Sequence, residues 1–450
     1  MSETTTPPTA EGVPLLGNGL AFSRAPFEAL AEWASHGDVV RVRFPGRSIY
    51  LVTRPDLVEE VLVEKRARFT IGRDQRETFD GIEDDAVSAA TGDRWARLRR
   101  ALRPAFTRER IESYGGRMAE RTAAHVDEWD DGERIDLHGE MRRLTLRILA
   151  DTLLGTNVEG REGVIMDAAD ALVDRADPRR VGQLLPDWIP TPTERRFQRR
   201  VAALDDYVEG VLAAAPDEGD GDDVRSVLLA ARDRGELTTA EVEDNLVGLL
   251  LAGHDSSAVA LTYAWYELSR RPETAQSLVA EVDETVGDGL PDAGDVDALE
   301  RVRRVVRETL RLYPPVWAVN REATAPVTLG GYELPAGAQL TIPQWVVHRD
   351  DRFWDRPETF DPDRWADEVG EPGGGDGGDR AGRPEYAYFP FGGGPRHCIG
   401  MRFAHLELTT ALAAMVARVD LDVTTDGPLA FRPSLSLRPT VDLEATVRRR

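Results

Sequence analysis

Apolar and polar residues alternate through VVRVRFPGRSIYLVT, residues 39 to 53, on both sides of a Pro-Gly pair, which predicts a β-hairpin. A second strand-like set, with glycine and proline turns, follows at TLGGYELPAGAQLTIPQW, residues 328 to 345. Elsewhere the helical period dominates, as in RVRRVVRETLRLY (301 to 313) and MRFAHLELTTALAAMVARV (401 to 419). The longest helical pattern starts at Thr238, with Glu241 placed to close a capping box, and stops before Pro272. At about 1.5 Å per residue it runs for roughly 45 Å. Its centre is almost wholly apolar, so it should be buried, yet that centre holds Gly253, His254, Asp255, Ser256 and Ser257. The fold class that follows is mainly α with minor β: a small sheet near the N-terminus and a long central helix.

No repeat is visible and no long linker divides the chain. Residues 1–12 read as a disordered lead, and residues 13–450 as one domain with acidic, glycine-rich surface loops at 213–224 and 366–385. The chain has 450 residues, long enough to bury a sizeable core, and 56 basic against 80 acidic residues give a net charge of −24. That balance argues against a nucleic-acid partner, whose phosphates need a basic face. Lys65 is the only lysine, so nearly every cation is an arginine, and the carboxylates are spread along the chain. Both features are similar to proteins of salt-accumulating halophiles; a GC-rich genome can imitate the lysine depletion. One cysteine excludes an internal disulfide and any zinc site with two thiolates. No run of about 18 apolar residues predicts a membrane span, and MSETTTPPTAEG lacks the pattern of a signal peptide, so a cytoplasmic protein is expected.

Several residues have the types and spacing to carry chemistry. On the long helix, glycine, acid and hydroxyl side by side can open a local groove and deliver protons; the same residues fit a packing glycine with locally satisfied polar neighbours equally well. Glu308 and Arg311, at i and i+3, share a helix face, and Arg364 in VHRDDRFWDRPETFDPDRW can complete a buried ion network with them. The single thiol, Cys398, sits in FPFGGGPRHCIG just before a helical pattern, with Gly392, Gly393, Gly394 and Gly400 leaving room for close approach. A thiolate is a soft ligand suited to iron. A single protein thiolate leaves the other ligands to a macrocycle, and haem is the obvious one. Arg396, Arg99 with Trp95, Arg321 and His348 are the candidate cations and donors for its propionates.

These residues resemble the cytochrome P450 family of haem-thiolate monooxygenases, of the soluble prokaryotic type, and here a halophilic archaeal source is expected. The loop signature F-x-x-G-x-R-x-C-x-G is met by Phe391, Gly394, Arg396, Cys398 and Gly400. The E-x-x-R pair is Glu308 and Arg311, W-x-x-x-R is Trp95 and Arg99, and FDPDRW is a variant of F-x-P-x-R-F. Four signatures in order span nearly the whole chain. The resemblance implies haem b with Cys398 as axial iron ligand, and Phe391 packed on the thiolate side. It implies Trp95, Arg99, His348 and Arg396 as propionate partners, with Arg321 a weaker candidate, and Glu308, Arg311 and Arg364 as a structural triad. AGHDSS matches A-G-x-D/E-T-T, placing Ala252 and Gly253 against the cofactor and Asp255 with Ser256 as the proton-delivering pair. Ser256 stands where the family has threonine, which keeps the hydroxyl and loses the β-branch that orients it.

The implied reaction uses molecular oxygen and inserts one of its atoms into an apolar substrate, the other leaving as water. Electrons would come from separate partners, a ferredoxin and a ferredoxin reductase. The arginines of stretch 94 to 110, namely Arg94, Arg97, Arg99, Arg100, Arg103, Arg108 and Arg110, offer such an acidic partner a docking surface. The substrate pocket would draw on residues 72–90, 181–193, Val247 to Ala252 and Val316 to Val319. The alternatives are a peroxide-driven peroxygenase or isomerase, and a haem-based gas-binding protein.

Overall fold

In the computed structural model of the chain, which describes residues 6–13, 17–177, 191–214, 223–367 and 382–450, the alternating run at 39 to 53 forms the hairpin its pattern predicts. Val39–Phe44 pairs antiparallel with Arg47–Val52, from Val39 opposite Val52 to Phe44 opposite Arg47. Gly46 in the turn takes a φ of 73°, in the left-handed region where glycine is at no steric disadvantage. The chain divides into two compact units, Met1–Thr78 with Leu310–Cys398, and Phe79–Thr309 with Ile399–Arg450.

In the first unit the hairpin shares a sheet with Gln339–Ile342 of the later strand-rich segment, while Val327–Leu329 and Tyr332–Leu334 pair only with each other. The order of the shared sheet is Val39–Phe44, Arg47–Val52, Gln339–Ile342, Val319–Ala323, Phe69–Ile71. Arg47–Val52 and Gln339–Ile342 run parallel, with Ile49 opposite Gln339 and Leu51 opposite Thr341. The sheet therefore joins residues almost 300 positions apart, and two of its five strands, Val319–Ala323 and Gln339–Ile342, come from late in the chain. Val39, Val52, Leu57, Val58, Leu340 and Ile342 bury its apolar face. Residues 8 to 10 lie along its edge: the Arg41 amide donates to the Pro8 carbonyl at 2.8 Å, and the Ala10 amide to the Arg41 carbonyl at 2.9 Å. The expected disordered lead is thus corrected for Pro8 to Ala10, because Ala10 packs into the core and Arg41 satisfies the backbone; residues 1–5 lie outside the described set. Most of loops 213–224 and 366–385 lies outside it too.

Arg311 is fully buried in this unit and donates to three carbonyls, of His348 at 2.8 Å, Pro357 at 2.7 Å and Thr359 at 3.1 Å. Arg364 donates to the Asp355 carbonyl at 2.9 Å and to the same Thr359 carbonyl at 3.2 Å. Two guanidiniums thus pin the 355–359 loop, and both stand over the Trp354 ring. Glu308, one turn before Arg311 on helix Glu300–Leu312, is fully buried as well.

The second unit is mostly helical. Thr239–Leu268 is one uninterrupted helix of 30 residues, closed at its start by a full capping box. The Glu241 amide donates to Thr238 Oγ1 at 3.1 Å, and the Thr238 amide to Glu241 Oε2 at 3.0 Å. Of the two readings of its centre, the packing glycine is the one that fits, since the helix runs on through Gly253. A Cβ on Gly253 would come within 2.8 Å of Leu149 Cδ1, so this glycine lets helix Leu137–Leu149 approach closely. The helix is long and apolar enough to cross a membrane, but 72% of its most apolar window is buried within the fold. Two further strand groups, Arg134–Asp136 with Leu443–Arg449 and Val419–Thr425, and the hairpin Phe431–Pro433 with Leu437–Pro439, complete this unit.

Glu241 also receives a bidentate ion pair from Arg97, whose second bond is 2.9 Å, and the nearby Arg94. The Arg97 hydrogen bond, against the cost of burial, holds its carboxyl down at about 2. A depressed carboxyl contributes stability above its ordinary value near 4.5 and loses it as the pH falls through about 2. Glu241→Ala should cost about 1 kcal/mol at pH 7 through the cap alone. The gap to wild type should narrow at pH 3, as read by urea unfolding at the two pH values.

Candidate functional site

The glycine turn of the first unit is closed by a backbone bond from the Cys398 amide to the Phe391 carbonyl at 2.9 Å. Gly392 and Gly394 carry φ of 72° and 62°. A side chain on Gly394 would collide with the Leu62 carbonyl, and one on Gly393 with the Tyr386 ring. The His397 amide and Nδ1 both lie on the Gly394 carbonyl, at 3.1 and 2.9 Å, which tightens the bend. This backbone holds the Cys398 thiol exposed, while Phe391, Arg396 and Gly400 are half-buried. Gly400 is the N-cap residue of helix Met401–Val416.

Arg321, on strand Val319–Ala323 of the same unit, is half-buried. Burial first, and the charge of Arg396 second, draw its guanidinium down to about 10. Two neighbouring cations beside an exposed thiol favour an anionic ligand with a soft metal.

His348 does not share that setting. It is fully buried, its Nε2 accepts the Phe389 amide at 3.0 Å, and it packs between Tyr388 and Phe389. Burial, then the charges of Arg311 and Arg349, push its pKa well below the ordinary value, so the ring is neutral. The expected role as a propionate cation is therefore corrected: His348 anchors the backbone that leads into the cysteine turn.

In the second unit, Trp95 and Arg99 are half-buried, one turn apart on helix Gly92–Leu102. The long helix leaves one stripe less covered than the rest: Gly248, Leu249, Gly253 and Ser256 are half-buried and Ala252 is exposed. Those positions recur at i, i+1, i+4, i+5 and i+8, so they share a face. Ser256 Oγ donates to the Ala252 carbonyl at 2.8 Å, which places the hydroxyl on that stripe.

Asp255 turns elsewhere. It is buried, accepts from Ser436 Oγ, and is paired with Arg438 at 2.5 Å, with Arg142 at 3.8 Å behind it. Asp170 bridges the same two arginines at 2.6 Å each. Burial alone would raise the Asp255 pKa; Arg438 first, then His254 and Arg142, overcome that and hold it below the usual carboxylate range. Asp255 and Ser256 thus do not meet as a pair: the carboxylate is committed to Arg438 and Ser436, and the hydroxyl to its own helix. At neutral pH Asp255 is an acceptor of protons from its surroundings, and it becomes a donor only after taking one up.

A family model described as cytochrome P450 matches residues 7–444. The chain belongs to the cytochrome P450 family. A protein of Streptomyces melanosporofaciens named cyclooctatin synthase is 35% identical over 433 residues, which cover 95% of this chain and 92% of that one. Cyclooctat-9-en-7-ol 5-monooxygenase of the same organism is 33% identical over 91% of this chain and 88% of its own. Pentalenene oxygenase of Streptomyces avermitilis is 32% identical over 93% and 92%. This P450 is a monooxygenase whose cofactor is haem. The donor set fits that group: one exposed thiol in a turn only glycine can build, and the Arg321–Arg396 cations in the same unit.

Two buried carboxyls of the second unit escaped attention in the sequence. Glu407 stands in the middle of the apolar helix Met401–Val416, accepts from Ser257 Oγ, and has no arginine or lysine partner among the described residues. Burial, opposed only by the Ser257 bond, pushes its pKa up to about 8. A raised carboxyl makes the folded state keep a proton that the unfolded chain releases, so stability falls as pH rises from about 4.5 to about 8. Glu407→Gln should flatten that decline, by up to about 1.4 kcal/mol per pH unit, in unfolding measured from pH 5 to pH 8.

Proposed function

We propose that this P450 oxygenates an apolar isoprenoid, with electrons from a ferredoxin and its reductase. The observation that carries the substrate class is the stripe on the long helix. Apart from the Ser256 hydroxyl it offers only glycine, alanine and leucine, so shape and apolar contact select what binds. The relatives' names support the same chemistry, since pentalenene is an olefinic hydrocarbon and cyclooctat-9-en-7-ol an olefinic alcohol. Haem, when bound, supplies the activation of molecular oxygen. Ser256 holds a hydroxyl on the stripe, and the Arg438–Asp255 pair keeps a charged carboxylate one residue away. Residues 13–450 would act as one haem domain, since the family match spans nearly all of them.

The docking surface for a ferredoxin is narrower than the arginine-rich stretch. Arg94 is paired with Asp85, Arg97 with Glu241, and Arg108 with Glu112 at 2.6 Å. Arg100 and Arg103 are exposed on the helix Gly92–Leu102 and the turn that follows it, and an acidic partner would meet those two. The reading also places the protein in the cytoplasm of a salt-accumulating cell, on the strength of its net charge of −24. The test is turnover of cyclooctat-9-en-7-ol and pentalenene under isotopically labelled oxygen, with a ferredoxin and reductase. A product carrying one labelled atom supports the reading. No product with either compound, or oxygen drawn from water, contradicts it.

A further inference from the structure

Glu83 is the second buried carboxyl, and it lies against the stripe. It is only 3% exposed, in the turn-rich segment that follows helix Arg73–Phe79. That segment is fastened to the first half of the long helix: the Asp85 amide donates to Asp244 Oδ2 at 2.7 Å and the Val87 amide to Asn245 Oδ1 at 3.0 Å. The fastening sets Glu83 Oε2 where a Cβ on Gly248 would have to be. Gly248 is half-exposed and begins the stripe that ends at Ser256. Only glycine leaves the carboxyl room to rest on the helix there.

Counterions make this carboxyl unusual. Asp255, Asp170, Glu241 and Asp151 are each met by arginine. Glu83 has none among the described residues: its charged neighbours are Asp84 and Asp244, and its polar neighbour is the Ser88 hydroxyl. Burial first, and the two aspartates after it, push its pKa up to about 7, opposed by the neighbouring Ser88 hydroxyl. A buried acid is normally paired or hydrogen-bonded, and a neutral one offers a donor and an acceptor together.

We propose that Glu83, resting on Gly248 beside Ser88, forms a hydroxyl-binding subsite, so that the substrate is an isoprenoid alcohol and not a plain hydrocarbon. This rests on the isoprenoid reading above. Eight helical residues separate Gly248 from Ser256, about 12 Å at 1.5 Å each. The existing oxygen of the substrate and the carbon near Ser256 would then lie about that far apart, the span of a polycyclic terpenoid skeleton. A hydrocarbon of the same shape fills the stripe but gives the carboxyl no hydrogen bond.

The test is a spectral titration of the haem-loaded protein with a matched pair, cyclooctat-9-en-7-ol and the same skeleton without its hydroxyl. Wild type should bind the alcohol about tenfold more tightly, the worth of one well-made hydrogen bond to a buried group. Glu83→Leu should abolish the preference, Glu83→Gln should keep most of it, and Gly248→Ala, which displaces the carboxyl, should weaken it. Should Glu83→Leu fail to take up haem, the other two variants decide. Equal binding of the pair by wild type, or a preference that survives Glu83→Leu, overturns the subsite and leaves the isoprenoid reading standing. A spectrum that neither compound shifts overturns both.

Discussion

The bond from the Cys398 amide to the Phe391 carbonyl, 2.9 Å long, is the constraint on which the chemistry depends. It closes a turn in which side chains at positions 393 and 394 would collide with Tyr386 and with the Leu62 backbone. An ordinary loop would let the thiol fold into the core, where free cysteines are usually found. Here the backbone is spent on holding it outward. The buried His348 ring accepts from the Phe389 amide at the entry to the turn, and Arg311 donates to the His348 carbonyl. Arg311, His348 and Phe389 are therefore successive supports of one sulfur atom.

Arginine carries the interior of both units. Burying a carboxylate or a bare carbonyl is costly unless a donor meets it, and the planar guanidinium meets several at once. Arg311 takes three carbonyls, Arg438 takes Asp255 and Asp170, and Arg97 takes both oxygens of Glu241. Against that background Glu83 and Glu407 stand apart, since among the described residues no arginine meets either: burial pushes both carboxyls up, to about 7 and about 8, one lying against the stripe and the other inside the helix bundle.

What was legible in the sequence was local. The hairpin at 39–53, the capping box at Thr238 and Glu241, and the glycine turn before Cys398 each depend on neighbours a few residues apart. What was not legible depends on distant partners. Asp255 reads as a proton donor until Arg438, 183 residues later, is found against it. Gly253 reads equally as a local groove or as a packing glycine until Leu149 is seen to need the space. His348 is a titratable residue by type, but burial beside two arginines makes it neutral, and burial is a property of the fold. Pro8 to Ala10 look unstructured by composition, yet an edge strand gives their backbone partners. Glu407 did leave a signal, a lone acid within an apolar helical run.

The central claim is that the Cys398 turn presents a thiolate to haem iron. The most direct measurement is the absorption spectrum of the reduced, carbon monoxide-bound protein, for wild type and for Cys398→Ser. A thiolate-type Soret band in wild type that is lost in a Cys398→Ser protein still able to bind haem is the predicted result. A wild-type spectrum without that band, or a variant that keeps it, would contradict the account.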